Sequence, residues 1–221
     1  MTDDRLVCNN KINLYTLNLL LCTKSGHLFQ IILLNSMFDL SHIDKRWTLF
    51  LDRDGVINYE NPGDDVRTWE EFIFYPNAPE NIAFFNKCFQ RLVLATNQRG
   101  ITKGIMTLAD LEDIHSKMLK GIGEKGGKID RIYFCVDAEP SSPCRKPNPG
   151  MAFQAVRDFP EIDLEKSLMV GNNISDMLFG KNAGMKTVFL RTTSPDFDIP
   201  HDAIDLHFND LEEFAHALRK S

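Results

Sequence analysis

Two acidic residues follow an apolar run near position 50 of the chain. Asp52 and Asp54 come directly after Trp47–Leu51, and Gly55 follows them. Because alternate side chains of a strand point to the same side, the two carboxylates are predicted to lie together, and glycine allows a sharp turn beyond them. Such a pair can hold Mg²⁺ while one oxygen stays free as a nucleophile. The competing interpretation is an acidic turn after an ordinary strand, since Asp-Gly is common in turns.

Three later segments offer the polar groups that phosphoryl transfer needs. Two of them follow apolar runs, and one is a proline-rich loop with two cations. The groups are Thr96, Asn97, Gln98 and Arg99, then Arg145 and Lys146, then Asn172, Asn173 and Asp176. A phosphomonoester repels an attacking carboxylate, so the charge on its peripheral oxygens must be neutralised. Mg²⁺, a lysine and a hydroxyl together supply that neutralisation.

In chain order, the segments DRDGVIN, TNQRGI, CRKPNPGM and GNNISDM resemble the four motifs of haloacid dehalogenase-type phosphatases. Their wording is similar to that of heptose bisphosphate phosphatases and histidinol phosphatases, over roughly residues 45–220. The resemblance implies that Asp52 is the nucleophile and Asp54 the general acid and base, with Lys146 and Thr96 as catalytic partners. It also implies Mg²⁺ held by Asp52, Asp54 and Asn172.

Further side chains are predicted to bind substrate or to support the site. The substrate-binding candidates are Asn97, Gln98, Arg99, Arg145 and Asn173. For Asn97 and Gln98 the alternative is capping of the following loop. For Arg145, whose fork suits a second phosphate, the alternative is a surface salt bridge. Asp176 is expected to hold Lys146 in place or to reach the metal through water.

The fourth motif departs from the family pattern. Such phosphatases usually carry Asp, as a metal ligand, where this chain has Asn172. An amide oxygen also coordinates Mg²⁺, but the site loses one negative charge. We therefore expect weaker metal binding, and a non-catalytic relative stays open as an alternative.

A second departure concerns zinc. Heptose bisphosphate phosphatases of this type often hold zinc with Cys-x-His and Cys-x-Cys pairs. The corresponding residues here are Cys135 and Asp137, then Ser142 and Cys144. Only two good ligands remain, whereas structural zinc takes four nitrogen or sulfur donors. We expect no zinc, with Cys135 as a buried thiol at a strand end and Cys144 as a loop residue.

The composition limits the class of protein. A chain of 221 residues with 43% hydrophobic residues suits a single globular domain. The net charge of −6 argues against a nucleic-acid or anionic-membrane surface. The partner that the resemblance implies is a small phosphorylated sugar, and we expect the chain to be a monomer. Five scattered cysteines indicate reduced thiols and a cytoplasmic protein.

Residues 1–36 do not match the rest of the chain. They contain no apolar run near the roughly 20 residues of a membrane span. A signal peptide also fits poorly, because Asp3 and Asp4 precede the apolar stretch. Relatives usually begin close to Met37. We therefore expect 1–36 to be a non-domain extension from a mis-set start, and 37–221 to be the phosphatase domain.

From residue 47 onward, apolar strands alternate with helical patterns, which is typical of a parallel sheet covered on both faces. Strands are predicted at 47–51, 91–96, 130–136, 167–171 and 186–191. Helices are predicted at 78–89, 107–124, 149–158, 174–183 and 210–219. Thr107 with Asp110, and Asp210 with Glu213, indicate capping boxes at two of the helix starts. The predicted fold class is therefore α/β: a single three-layer, doubly wound, Rossmann-like domain, which the resemblance implies to be of haloacid dehalogenase type. The connections are too short for a large cap, so the site should be open.

The best interpretation of the sequence is a Mg²⁺-dependent phosphoric monoester hydrolase that acts through an aspartyl phosphate. The resemblance favours removal of the 7-phosphate of D-glycero-D-manno-heptose 1,7-bisphosphate. A histidinol-phosphate phosphatase is the alternative enzyme, and a non-catalytic phosphate-binding relative is the alternative of another class.

Overall fold

Six parallel strands form the central sheet of the computed structural model, which describes residues 38–61, 65–199 and 201–221. The strands are β1 (Thr48–Leu51), β2 (Arg91–Asn97), β3 (Arg131–Cys135), β4 (Ser167–Gly171), β5 (Lys186–Leu190) and β6 (Leu206–Phe208). Their order across the sheet is β3-β2-β1-β4-β5-β6. The α-helices of the described residues are α1 (Ala78–Cys88), α2 (Leu108–Glu124), α3 (Gly150–Asp158), α4 (Ile174–Ala183) and α5 (Leu211–Lys220). After α1, strands and α-helices alternate along the chain as far as β5, which β6 follows directly.

Both faces of the sheet are buried, because neighbouring residues of a strand enter different cores. Leu49 and Leu51 pack in the core that holds α1, α2 and α5, whereas Phe50 packs with α3 and α4. The same alternation divides the residues of β2 and β4 between the two cores. This is the three-layer arrangement that the alternation of strand side chains predicts.

The predicted strands and helices are confirmed to within one residue at each end. The strand that the prediction missed is β6, which has only three residues, all of them partly exposed. A period-2 pattern needs about four residues to be visible. β6 lies at the edge of the sheet and pairs with β5 alone.

Two helix starts that the sequence predicts have capping residues. Thr107 and Asp110 form a complete capping box at the start of α2. The box predicted for α5 forms only in part. The Asp210 side chain accepts from the backbone nitrogen of Glu213, but the Glu213 carboxylate accepts from the nitrogen of Asn209 instead of Asp210. The second half of that prediction was wrong.

The carboxyl ends of β1 and β4 meet where the strand order reverses. Asp52 follows β1 directly, and its nitrogen donates to the carbonyl of Val170 in β4 at 3.0 Å. Asn172 follows β4 directly, and Thr96 lies near the end of β2. Ligands of open parallel sheets bind beyond the strand ends at such a reversal. In the described residues, the connections next to this edge contain no large cap.

The proposed division between 1–36 and 37–221 falls on residues 1–37, which lie outside the described residues. It stays a prediction. Among the helices of the described residues, none has the length and apolar composition needed to cross a membrane.

Candidate active site

A cleft of about 440 Å³ opens at the carboxyl edge of the sheet. It is lined by ten of the eleven side chains that the sequence predicts for the site. These are Asp52, Asp54, Thr96, Asn97, Arg99, Arg145, Lys146, Asn172, Asn173 and Asp176. The exception is Gln98, which is buried and does not line the cleft. The four predicted segments therefore converge on one site.

Lys146 connects the first, second and fourth segments. Its Nζ atom forms ion pairs with Asp52 Oδ1 at 2.9 Å and Asp176 Oδ1 at 2.7 Å, and it donates to the carbonyl of Ala95 at 2.8 Å. The lysine is 3% exposed. Burial acts to lower the pKa of Lys146, but Asp176 and Asp52 outweigh that effect and raise it. Lys146 therefore stays protonated beside the predicted nucleophile.

The loop that carries Lys146 has no regular secondary structure. Hydrogen bonds from side chains to its backbone help to hold it in place. Asn97 binds the backbone of Lys146 twice, with Oδ1 accepting from its nitrogen at 3.0 Å and Nδ2 donating to its carbonyl at 3.2 Å. Asn148 donates to the carbonyls of Pro140 and Ser142. The amide of Asn97 is thus used to position Lys146, which matches the capping alternative better than substrate contact.

Asp54 has a different set of partners. The guanidinium of Arg53, which is fully buried, donates to both Asp54 oxygens at 3.0 Å and contacts His115 Nε2 at 3.3 Å. Asn58 donates to Oδ1 and Gln98 to Oδ2, each at 2.9 Å. These donors hold the carboxylate in one orientation at the cleft. Gln98 therefore supports Asp54, and the structure gives no contact of Gln98 with the cleft.

The two carboxylates have pKa values that are shifted in opposite directions. Burial raises the pKa of Asp52 to about 7, with Asp176 and Asp54 adding to the rise and Lys146 opposing it. Burial also acts to raise the pKa of Asp54, but Arg53 and the hydrogen bonds from Asn58 and Gln98 outweigh it and lower the pKa. Two buried acids share the charge of Lys146, whereas Asp54 has an arginine to itself.

Thr96 offers a hydroxyl proton to the cleft. Its Oγ1 atom accepts from Gln98 Nε2 at 3.0 Å, so the hydroxyl hydrogen remains available to another acceptor. The side chain is almost fully buried but still lines the cleft. It is therefore suited to donate to an oxygen of a bound phosphate.

Comparison with known proteins agrees with this geometry. A HAD-hydrolase-like family model (HAD, haloacid dehalogenase) matches residues 143–213. The chain is 39% identical over 158 residues to the D-glycero-beta-D-manno-heptose-1,7-bisphosphate 7-phosphatase of Helicobacter pylori J99, covering 71% of this chain and 88% of the relative. The D-glycero-alpha-D-manno-heptose-1,7-bisphosphate 7-phosphatase of Mycobacterium bovis is 31% identical over 174 residues, with 78% and 92% covered.

A solved structure gives the same answer. The D,D-heptose 1,7-bisphosphate phosphatase of B. bronchiseptica, complexed with magnesium and phosphate, superimposes with a TM-score of 0.70 and 29% identity. The match covers 79% of this chain and 98% of the other. The chain belongs to the heptose-1,7-bisphosphate 7-phosphatase family of HAD-like hydrolases. The resemblance of the four motifs and the predicted fold class are confirmed.

The residues of the family site fit a divalent cation. Asp52 Oδ2 and Asn172 Oδ1 accept no hydrogen bond from any residue that the structure describes, whereas Asp52 Oδ1 and Asn172 Nδ2 are both engaged. Five carboxylates line the cleft, those of Asp52, Asp54, Glu60, Asp65 and Asp176. Their charge, when all are ionised, exceeds that of the cations that line it, Arg99, Arg145 and Lys146, by two. Free oxygen ligands and this excess charge suit Mg²⁺.

Two cysteines differ from expectation. Cys135 and Cys144, predicted to be a free buried thiol and a loop residue, form a disulfide. The residues that separate them turn back on themselves, and the Ser142 hydroxyl contacts the Asp137 carboxylate at 2.5 Å within that turn. This brings the two sulfur atoms together. The prediction of reduced thiols was wrong for this pair, while Cys88 is a free cysteine.

Of the other predicted substrate contacts, Arg99 is exposed and lines the cleft, whereas Asn173 and Arg145 have local partners. The side chain of Asn173 accepts from the nitrogen of Ser175 and begins α4, while its own nitrogen donates to Asp176 Oδ2 at 3.0 Å. Arg145 donates to the carbonyl of Asp137 at 3.2 Å and also lines the cleft. Of these two, Arg145 has the donors to spare for a substrate anion.

Several residues of the site were not found by sequence reasoning. They are Arg53, Asn58, Glu60, His115 and Thr193. The sequence offers a clue to Arg53 alone, because this cation stands between two acids. In a strand-like segment its side chain is expected to face away from both of them. Its guanidinium instead returns to Asp54. Asn58 lies only four positions from Asp54, and their contact depends on the turn between them. Glu60, His115 and Thr193 depend on pairings between segments 21 to 112 positions apart, which one sequence does not show.

Proposed function

We propose that this chain is a Mg²⁺-dependent phosphatase that removes the 7-phosphate of D-glycero-D-manno-heptose 1,7-bisphosphate. The observation that supports it most directly is Asp52, a carboxylate at the end of β1 that is paired with the buried Lys146 in the cleft. Membership of the heptose-1,7-bisphosphate 7-phosphatase family supports the choice of substrate.

The chemistry assigns different tasks to the two acids. An oxygen of Asp52 attacks phosphorus, the bond from phosphorus to the sugar oxygen breaks, and Asp54 gives that oxygen a proton. In the second step Asp54 takes a proton from a water molecule, which attacks the aspartyl phosphate and releases phosphate. Lys146 and the Thr96 hydroxyl neutralise the phosphoryl oxygens.

Asp52, the backbone carbonyl of Asp54, and Asn172 are the residues that would hold Mg²⁺. Bound there, the cation neutralises phosphate charge and favours the ionised form of the nucleophile. Asp54 has the opposite need, because its low pKa leaves it without the proton that a general acid gives. The negative charge of an approaching phosphate raises the pKa of a neighbouring carboxyl. Substrate binding therefore favours protonation of Asp54.

Arg145 is the candidate for recognition of the second phosphate. Lys146 is committed to Asp52 and Asp176, whereas Arg145 lines the cleft and has one nitrogen engaged with a carbonyl. A heptose 1,7-bisphosphate should therefore be cleaved with a higher kcat/KM than a heptose 7-phosphate. We further propose that the chain acts as a monomer, since all the residues of this site come from one chain.

The decisive experiment is a comparison of phosphate esters with the purified full chain, with Mg²⁺ and with EDTA. The set contains both anomers of the heptose bisphosphate, heptose 7-phosphate and histidinol phosphate. We expect Mg²⁺-dependent phosphate release that is fastest with a bisphosphate. Histidinol phosphate as the better substrate would replace the proposed substrate, and no turnover of any ester would favour a non-catalytic protein.

Arg145→Ala tests the contact with the second phosphate. It should narrow the preference for bisphosphate over monophosphate by about 1.5–3 kcal/mol, which is typical of a hydrogen bond to a charged group. Hydrolysis of histidinol phosphate should not change. Arg157→Ala is the matched control, because Arg157 is exposed on α3 and does not line the cleft. If the ratio of kcat/KM for the bisphosphate to kcat/KM for the monophosphate is the same in the parent and in Arg145→Ala, Arg145 does not bind the second phosphate.

A further inference from the structure

Asn172 lies between the predicted metal ligands and a second carboxylate. Its Nδ2 atom donates to Glu60 Oε2 at 3.2 Å and to Thr193 Oγ1 at 2.8 Å. A carboxylate only accepts hydrogen bonds, so the nitrogen of the Asn172 amide must face Glu60. The oxygen Oδ1 is thereby turned away from Glu60 and accepts from no described residue.

The surroundings leave the Asn172 amide little freedom. A Cβ atom at Gly55 would overlap its carboxamide, so the glycine backbone packs directly against it. Thr192 donates to the carbonyl of Gly55 at 2.5 Å, which fixes the segment that carries Thr193. Gly55 and Thr193 occupy two sides of the Asn172 carboxamide. Its orientation can therefore differ only in which amide atom, Oδ1 or Nδ2, faces Glu60.

Glu60 reaches Asn172 from a segment that is itself held in place. The backbone nitrogen of Tyr59 donates to the carbonyl of Ile73 at 2.9 Å, and the centre of the Tyr59 ring lies 4.1 Å from that of Tyr75. Asn58 donates to Asp54 and to the carbonyl of Tyr59. Glu60 therefore follows a turn that starts at Asp54 and is held by hydrogen bonds, and Glu60 lines the same cleft.

We propose that Glu60 is a positioning residue for the Mg²⁺ site, which orients the Asn172 oxygen toward the cation and returns to the site the negative charge that Asn172 lacks. The inference rests on the Mg²⁺ dependence of the proposed function, but not on the identity of the sugar. A neutral ligand and an adjacent carboxylate carry the same total charge as an aspartate ligand beside a neutral residue. Asn172 therefore supplies the ligand oxygen and Glu60 supplies the negative charge, which a single aspartate ligand would supply together.

Substitutions of Glu60 separate orientation from charge. Glu60→Gln keeps an oxygen that accepts from Asn172 but removes the charge, and Glu60→Met removes both. We expect Mg²⁺ to bind about five- to tenfold more weakly to Glu60→Gln, given a partly screened pair of charges, and more weakly again to Glu60→Met. The measurement is calorimetric titration of the full chain with MgCl₂ in the absence of substrate. Glu70→Gln is the control, since Glu70 is exposed and does not line the cleft.

The same substitutions in an Asn172→Asp background give the sharper test. A carboxylate presents an oxygen in either orientation, so Glu60→Gln and Glu60→Met should then have equal Mg²⁺ affinities. The double variant Glu60→Gln, Asn172→Asp moves the charge from one residue to the other, and it should recover parental affinity to within about threefold.

The outcomes separate this inference from the proposed substrate. Mg²⁺ affinity in Glu60→Gln and Glu60→Met within twofold of the parent would overturn the inference, even if the parent cleaves heptose bisphosphate. The expected order of affinities would support it even if another ester were the substrate. A parent that binds no Mg²⁺ would overturn both the inference and the metal dependence of the proposed function.

Discussion

Asp52 and Asp54 are two residues apart, yet the cation beside each of them reaches it by a different route. Arg53 is the chain neighbour of Asp54, and its guanidinium is held between Asp54 and His115 of α2. Lys146 comes from an irregular loop that follows β3, and it is shared with Asp176. One carboxylate therefore has a permanent partner and a low pKa, and the other has a divided partner and a raised pKa.

The difference shows how one short motif prepares two acids for different tasks. Excess negative charge around Asp52 is useful because a bound cation removes it and leaves a reactive carboxylate. The tight pairing of Asp54 fixes the position of the group that transfers the proton. Both pKa shifts in the free protein oppose the form needed for reaction, so the cation and the phosphate must each reverse one of them.

The largest expected effect is on turnover. Asp52→Asn keeps the shape of the side chain but removes the attacking charge, so activity should fall by at least about a thousandfold. Asp54→Asn should lower it by about 10²–10⁴-fold and allow phosphoenzyme to accumulate after an acid quench. Initial rates of phosphate release measure both. Activity of Asp52→Asn within tenfold of the parent would contradict the mechanism.

Asp52→Asn should lose activity but should not lose thermal stability. A carboxyl whose folded pKa is raised loses stability as the pH rises from its unfolded value of about 3.8 toward 7. The asparagine variant has no such loss. Without Mg²⁺ at pH 8, its melting temperature should therefore equal or exceed that of the parent, which also shows that the inactive variant is folded.

Much of this arrangement is visible in the sequence, and the reason is local. The alternation of apolar residues predicts β1, β2 and β4, and the polar residues that follow each strand share one edge of the sheet. The partners of Arg53 and Asn172 are different, because His115 is 62 positions from Arg53 and Glu60 is 112 positions from Asn172. Such contacts depend on tertiary packing, which a local pattern does not encode.

Lys146→Met tests the shared cation. It leaves the buried carboxylates of Asp52 and Asp176 without a partner, so the free energy of unfolding without Mg²⁺ should fall by about 3–5 kcal/mol. The control is Lys166→Met, because Lys166 forms an exposed pair with Asp163 that is worth at most about 1 kcal/mol. Urea denaturation at pH 8 measures both. Equal losses would show that Lys146 and its partners are not a buried cluster.

The loop of Lys146 should also depend on its disulfide. Cys135 and Cys144 are nine positions apart, and the entropy of closing such a short loop corresponds to about 2–3 kcal/mol. A reductant should lower the melting temperature of the parent and of Cys88→Ala, but not that of Cys144→Ala, which has no disulfide. Because Lys146 follows Cys144 by two positions, kcat should fall with reduction as well. An unchanged melting temperature in the parent would mean that the hydrogen bonds of this loop hold it without the disulfide.

The last expected effect is on the pH dependence of stability, and it concerns His115, the neighbour of Arg53. His115 is 7% exposed, and burial together with Arg53 lowers its pKa to about 3. The unfolded chain binds a proton at this residue below about pH 6.5 and the folded chain does not, so stability should fall by up to about 1.4 kcal/mol per pH unit between pH 6.5 and 3. His115→Gln keeps an acceptor for Arg53 but does not titrate, and its slope should be smaller by that amount. His216→Gln, at an exposed position of α5, should retain the parental slope. If His115→Gln retains it too, His115 binds its proton as readily in the folded as in the unfolded chain, and its Nε2 atom is then not an acceptor for Arg53.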